Sequence, residues 1–246
     1  MYQISLILAV APALWLLYYM YRLDEIEKEP IGLLAQLFIL GAVSIVVAFI
    51  LEKIGFSILN RYFDEDELIS IVISNFFIIG VVEEMTKRFI LKAVTWNHPA
   101  FDYCFDGVVY AVAVSLGFAA LENLLYVHRL GIGVVPLRAV TAIPVHCITG
   151  IFMGHYYGLA KLYRERGNEE KKKSYLAKSY CIPVLLHGAY DFIASIGGWG
   201  IVVFWAFLIG LDVVAYFSVK RFSREDVTVK NGGVNEWSYF CGKINL

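Results

Sequence analysis

The sequence predicts an all-α, polytopic bundle of transmembrane helices, and three observations carry that prediction. Of 246 residues, 59% are hydrophobic. Only 17% are charged, against about 25% in an average soluble domain. The apolar residues are gathered into seven runs, each near the roughly 20 residues that a helix needs to cross a bilayer. The net charge of −1 gives no basic field to attract a phosphate backbone, which argues against nucleic acid as a partner. The four cysteines, Cys104, Cys147, Cys181 and Cys241, show no metal or disulfide spacing.

The predicted spans follow in order. The first, Ile4–Tyr21, has no basic residue before it and no small-residue cleavage site, so it is expected to remain as an uncleaved span. The second is Ile31–Leu51. A mixed segment, Glu52–Glu67, follows and could hold a short interfacial helix. The third begins near Leu68 and continues as helix towards Lys92. The fourth is Gly107–Val127, the fifth Leu137–Leu159, the sixth Tyr180–Ile196 and the seventh Ile201–Val219. The charged stretch Lys161–Lys178 reads as a solvated loop. Residues 1–220 form one integral membrane domain, and residues 221–246 a polar tail. Alternate connections hold 17 Lys and Arg on one side and 4 on the other, or 15 to 4 once Lys87 and Arg88 are set aside as lying at membrane depth. The positive-inside rule then puts the N-terminus outside and the C-terminus in the cytoplasm. An eighth or broken span would change that parity.

Ionisable groups inside such spans are costly and usually face a bundle interior or a water-filled cavity. Glu83 and Glu84 lie in IIGVVEEMTKR, with Lys87 and Arg88 each four residues further on. The structural reading is two intrahelical ion pairs. The functional reading notes that adjacent carboxylates resist ionising together in a dry site, which suits a general base that later carries a proton. Adjacent helical residues point about 100° apart, so one of the two, taken as Glu83, faces the reacting centre. Glu122 in LGFAALENLLY has no basic residue within a turn and needs a partner from another helix. Asn123 beside it could be packing glue. His146 in AIPVHCITG is by itself more often a structural residue, and Pro144 could bend its span. His187 and Asp191 in VLLHGAYDF share a helix face, so the carboxylate can orient the ring, and Gly188 would let a backbone or substrate approach. Together these groups imply an aqueous chamber among spans three to six.

Four blocks in order then become recognisable. EEMTK at Glu83–Lys87 matches EExxK, and FAALEN at Phe118–Asn123 matches FxxxEN. The surrounding Phe105–Tyr126 stretch, with DGVVYA before LGFA, is similar to the most characteristic block of the PrsW family of intramembrane proteases, although Ser115 stands where Gly is more usual. Arg138 through His146 and Gly150 resembles that family's R…PxH…G segment, and LLHGAYDF its HxxxD/N segment. The resemblance implies peptide-bond hydrolysis in the bilayer, with a single-span membrane protein such as an anti-sigma factor as substrate, in a bacterial cell membrane. The wider superfamily of prenyl and bacteriocin-processing endopeptidases implies a glutamate-type mechanism. Carried over, Glu83 is the base and Glu84 its supporting neighbour. Glu122 is the second holder of the water, where prenyl endopeptidases have His. His187 is the oxyanion donor and Asp191 its orienter. Lys87, Asn123, Arg138 and His146 support the site. No metal or other cofactor is expected, because no HExxH is present. The alternative is zinc on His146, His187 and Glu83 or Glu122. A proton-coupled transporter is the competing class, but matched halves with interrupted helices are lacking. A non-enzymatic scaffold would leave the polar set without a role.

Overall fold

The structure is a computed structural model that describes residues 2–198 and 200–230. Among these residues the chain is helical throughout apart from turns and one isolated bridge, Tyr103 to Thr228. Helix α1 spans Tyr2–Leu23 and α2 Ile31–Leu59. The third rod is composite: α3 at Leu68–Val72, a π-helical segment at Ile73–Gly80 and α4 at Val81–Thr95. Helix α5 spans Asp106–Leu130. A short α6, Val135–Val140, precedes α7 at Ala142–Glu165, and α8 runs Glu169–Ile196 and α9 Gly200–Arg224. Five stretches are long and apolar enough to cross a membrane, namely Ile31–Leu59, Leu68–Thr95, Asp106–Leu130, Ile132–Glu165 and Gly200–Arg224. With α1 and α8 they make seven rods, as the apolar runs predicted. The chain is therefore a multi-pass membrane protein.

Four expectations are corrected. Helix α2 continues two turns past Leu51, so Glu52 is helical and no separate interfacial helix follows. Lys161–Lys178 is not a loop. It comprises the end of α7, a three-residue turn and the first turns of α8. The Asn168 side chain caps α8 by accepting the Lys171 amide, and Lys172 pairs with Glu169 along its surface. The fifth span is broken at Thr141, which separates Arg138 on α6 from His146 on α7. Of the polar tail, residues up to Arg224 extend α9, and Val229 donates to Asp102 O. Residues 231–246, with Cys241, lie outside the described residues.

Helix α5 is the axis of the bundle. Every residue from Phe105 to Ala120 is buried, which agrees with a helix apolar on all sides. Small residues set its distance from α7. A Cβ at Gly154 would stand 2.3 Å from Gly107 O, so the two backbones touch there, as in small-residue seams of membrane helices. The outer faces are apolar as well. Val43, Val46, Val47 and Ile50 on α2, and Val202, Val203, Ile209 and Phe217 on α9, are exposed and present hydrocarbon to lipid.

Candidate active site

The polar groups of four rods converge at one depth of the bundle. The π-helical turn is central to this. One extra residue per turn rotates everything after it by about 100°, and here it turns Glu83 and Glu84, at the start of α4, into the interior. Helix α8 lies against that turn because Gly188 has no side chain, and a Cβ there would come within 2.9 Å of the Phe76 Cα. The approaching backbone that Gly188 accommodates is thus the π-helix itself. This contact brings His187 onto the glutamates.

Lys87 is the hub. Its ammonium is fully buried and donates to Glu83 Oε2 at 3.1 Å, Glu84 Oε1 at 2.8 Å and His146 Nδ1 at 2.9 Å. It also lies over the Phe118 ring, 4.3 Å from the centroid. His146 Nε2 meets Glu122 Oε2 at 2.9 Å. Since Nδ1 accepts from an ammonium, the ring proton must sit on Nε2 and point at Glu122. Arg138 grips the same carboxylate from α6, with Nη2 at 2.7 Å, while its Nε donates to Asn123 Oδ1 at 3.0 Å. Asn123 in turn donates to Ala9 O at 2.7 Å, tying α5 to α1. Glu122 therefore has partners from α6 and α7, outside its own helix. Lys87 and Arg138 are not interchangeable anchors. The first is a buried point charge, and the second a fork stacked 3.8 Å from the Tyr126 ring centre.

His187 bridges carboxylates. Its Nδ1 lies 2.8 Å from Glu84 Oε1, and its Nε2 lies 3.3 Å from Asp191 Oδ2 and 3.8 Å from Glu83 Oε2. The Asp191 contact is an ion-pair approach and not a formed hydrogen bond. Glu84 therefore makes the firmer contact with the ring, in addition to Asp191 on the same helix. The His146 and His187 rings meet edge to face at 5.1 Å. Side-chain exposure rises from zero at Glu84 and Lys87 to 8% at Glu83, 17% at Glu122 and 23% at Asp191. The cluster is sealed behind Lys87 and opens at Glu83, Glu122 and Asp191.

Two features differ from what the sequence suggests. Arg88 does not pair with Glu84. It donates to Ser179 Oγ and Leu176 O on α8, while Glu84 takes Lys87 three residues on. Glu52 is an additional member that the apolar runs pass over. Its Oε1 is enclosed without a donor among the described residues, and its charge reaches Glu83, Glu122, Lys87 and His187. A signal for it exists, because the helical register of α2 continues through Glu52. The apolar run stops at Leu51, however, and an acid followed by Lys53 resembles a span end.

Fold and site together define a polytopic membrane protein with a buried constellation of glutamates, imidazoles and one lysine. Comparison with known proteins gives that class its family. The description PrsW family intramembrane metalloprotease matches residues 29–217. Protease PrsW of Oceanobacillus iheyensis is 37% identical over 218 residues, covering 89% of this chain and 95% of that one. Protease PrsW of Clostridioides difficile is 34% identical over 237 residues, 94% and 96% of the two chains. That of Bacillus subtilis is 34% identical over 190 residues, 76% and 80%. No solved structure matches the chain. The chain belongs to the PrsW family of intramembrane proteases.

Proposed function

We propose that this chain cuts a peptide bond of a single-span membrane protein, such as an anti-sigma factor, in a bacterial cell membrane, using water activated by a glutamate. The observation that carries the reading is the convergence of Glu83, Glu84, Glu122, His146, His187 and Asp191 around Lys87. Glu83 is the carboxylate of the pair nearer the open side. It takes a proton from water as the water oxygen attacks the scissile carbonyl carbon. Glu122, held by Arg138 and His146, steadies that water. His187 faces carboxylates on both ring nitrogens, an arrangement satisfied when both carry protons, and it donates to the developing oxyanion. Glu84 fixes the ring from behind. Glu83 then returns its proton to the amide nitrogen as the C–N bond breaks. The uneven distribution of Lys and Arg supports an N-terminus outside the cell.

A second reading is favoured by one observation. Glu83, Glu84, His146 and His187 each bring a donor atom within 4.8 Å of the others. Two imidazoles and carboxylates suit zinc, and those side chains would hold it. Bound there, zinc would polarise a carbonyl or acidify a water. Lys87 already places a positive charge among three of those donors, so ion and ammonium would compete for the same atoms. The metal-free mechanism is preferred for that reason. The test is cleavage of co-reconstituted single-span substrates by the purified chain, with and without 1,10-phenanthroline. Unchanged cleavage that Glu83→Gln abolishes supports the first reading. Cleavage lost to the chelator and restored by zinc replaces it with the second. No cleavage of any substrate, alongside altered proton flux, would sink both.

A further inference from the structure

A second group of acids is buried at the other end of α5, where the α1–α2 connection, residues 96–105 and residues 225–230 meet. Asp24, Glu29 and Asp106 are 2%, 4% and 1% exposed. Each brings a carboxylate oxygen within 4.8 Å of the other two. Asp106 Oδ2 accepts the amides of Asp102 and Tyr103, at 2.9 and 2.7 Å. Glu29 Oε2 accepts from the Tyr110 hydroxyl. Asp24 Oδ2 is enclosed and meets no donor among the described residues. The same holds for Oδ2 of neighbouring Asp226, whose Oδ1 takes the Phe105 and Val227 amides, both at 2.8 Å. The nearby lysines are engaged elsewhere. Lys28 caps the end of α1 on the carbonyls of Tyr21, Arg22 and Asp24, and Lys230 pairs with Asp102.

Three buried carboxylates thus lie together with no salt bridge to a basic side chain among the described residues, although the Lys28 ammonium stands beside Asp24 on its backbone carbonyl, in a region the proposed catalysis does not use. We infer that Asp24, Glu29 and Asp106 bind a hard divalent cation, Mg2+ or Ca2+, which fastens the α1–α2 connection to the start of α5. The donors are all oxygen, which selects that class over zinc or copper. Their spacing fits. Opposite ligands of a calcium-sized ion stand about 5 Å apart and those of magnesium about 4 Å apart, with water filling the remaining positions.

The test uses the purified full-length chain, titrated with CaCl2 or MgCl2 after EDTA treatment and desalting. Isothermal titration should show one saturable site per chain. At a hundredfold excess over Kd the unfolding midpoint should rise by about 5 °C or more. Asp24→Asn and Glu29→Gln should lose both effects, and His187→Ala should keep them, which separates this site from the membrane-depth cluster. Wild-type protein that binds neither ion at millimolar concentration overturns the inference. So does binding that survives both acidic-site substitutions. The wild-type titration decides the matter even if one variant fails to fold.

Discussion

The two buried acid clusters of this bundle answer the same problem differently. The cluster in the membrane carries its counter-charges within the chain. Lys87 sits one turn from Glu83 and Glu84, and Arg138 meets Glu122 at 2.7 Å. The cluster at the end of α5 has backbone amides, a tyrosine hydroxyl and the neighbouring Lys28, but its carboxylates make no salt bridge among the described residues. In hydrocarbon an unpaired charge has no alternative partner, so the protein must supply one. At the membrane surface an ion from solution can enter. Internal neutralisation suits a site whose charges must be set before a reaction begins, and external neutralisation suits a clamp.

That contrast can be broken at several points. The largest effect is expected at Glu83. Glu83→Gln should lower cleavage by about 10³-fold or more, with the unfolding midpoint nearly unchanged, because the amide keeps a contact to Lys87 but cannot take a proton. An equal loss of stability would make Glu83 a packing residue. Next comes Lys87→Met, which strands two buried carboxylates and should destabilise the fold by about 3–5 kcal/mol. Adding Glu84→Gln to it should recover part of that loss in denaturant titrations. If both single and double variants are as stable as wild type, the lysine is not the internal counter-charge. His187→Ala should cut kcat by about 10²–10³-fold with little change in KM, the pattern of a group that acts in the transition state. A rise in KM alone would assign it to substrate binding.

What was legible in the sequence follows the same division. The seven rods were legible because few structures other than membrane bundles use repeated apolar runs of span length. The glutamate pair, Glu122 and His187 were legible because each interrupts such a run. Partners were less so. Spacing of four residues suggested Glu84 with Arg88, but the arginine is long enough to reach α8, and the shorter i,i+3 contact to Lys87 prevails. The rotation that aims the pair inward comes from a π-turn whose sequence, ISNFFIIG, resembles any apolar helix. Dense charge hid the first turns of α8, since a helix emerging from the bilayer can carry solvated lysines and stay helical. The acids at the end of α5 were not legible at all. Asp24 and Glu29 sit in a polar connection where acids are ordinary, and only the fold carries them to Asp106.

The smallest expected effect sharpens the contrast most, because it separates a clamp awaiting an ion from acids that merely share protons. With divalent ions chelated, Asp24, Glu29 and Asp226 have carboxyls held at about 6, 7 and 7 by burial. Lys28, Lys230, Asp102, Asp106 and Tyr110 surround them. The folded chain then binds more protons than the unfolded chain between about pH 4 and 7. Stability is therefore full below that window and is lost as pH rises through it. Asp24→Asn removes a carboxylate whose charge burial penalises and should raise stability in chelator at pH 8 by about 1 kcal/mol, with a shallower fall from pH 5 to 8. With calcium or magnesium present the order should reverse, wild type becoming the more stable at pH 8, since only it keeps the full set of oxygens for the ion. Unfolding midpoints of the two proteins at pH 5 and 8, with and without the ion, measure this directly. If Asp24→Asn were the more stable in every condition, the acids would be no more than a protonated cluster, and both ends of the bundle would be neutralised from within.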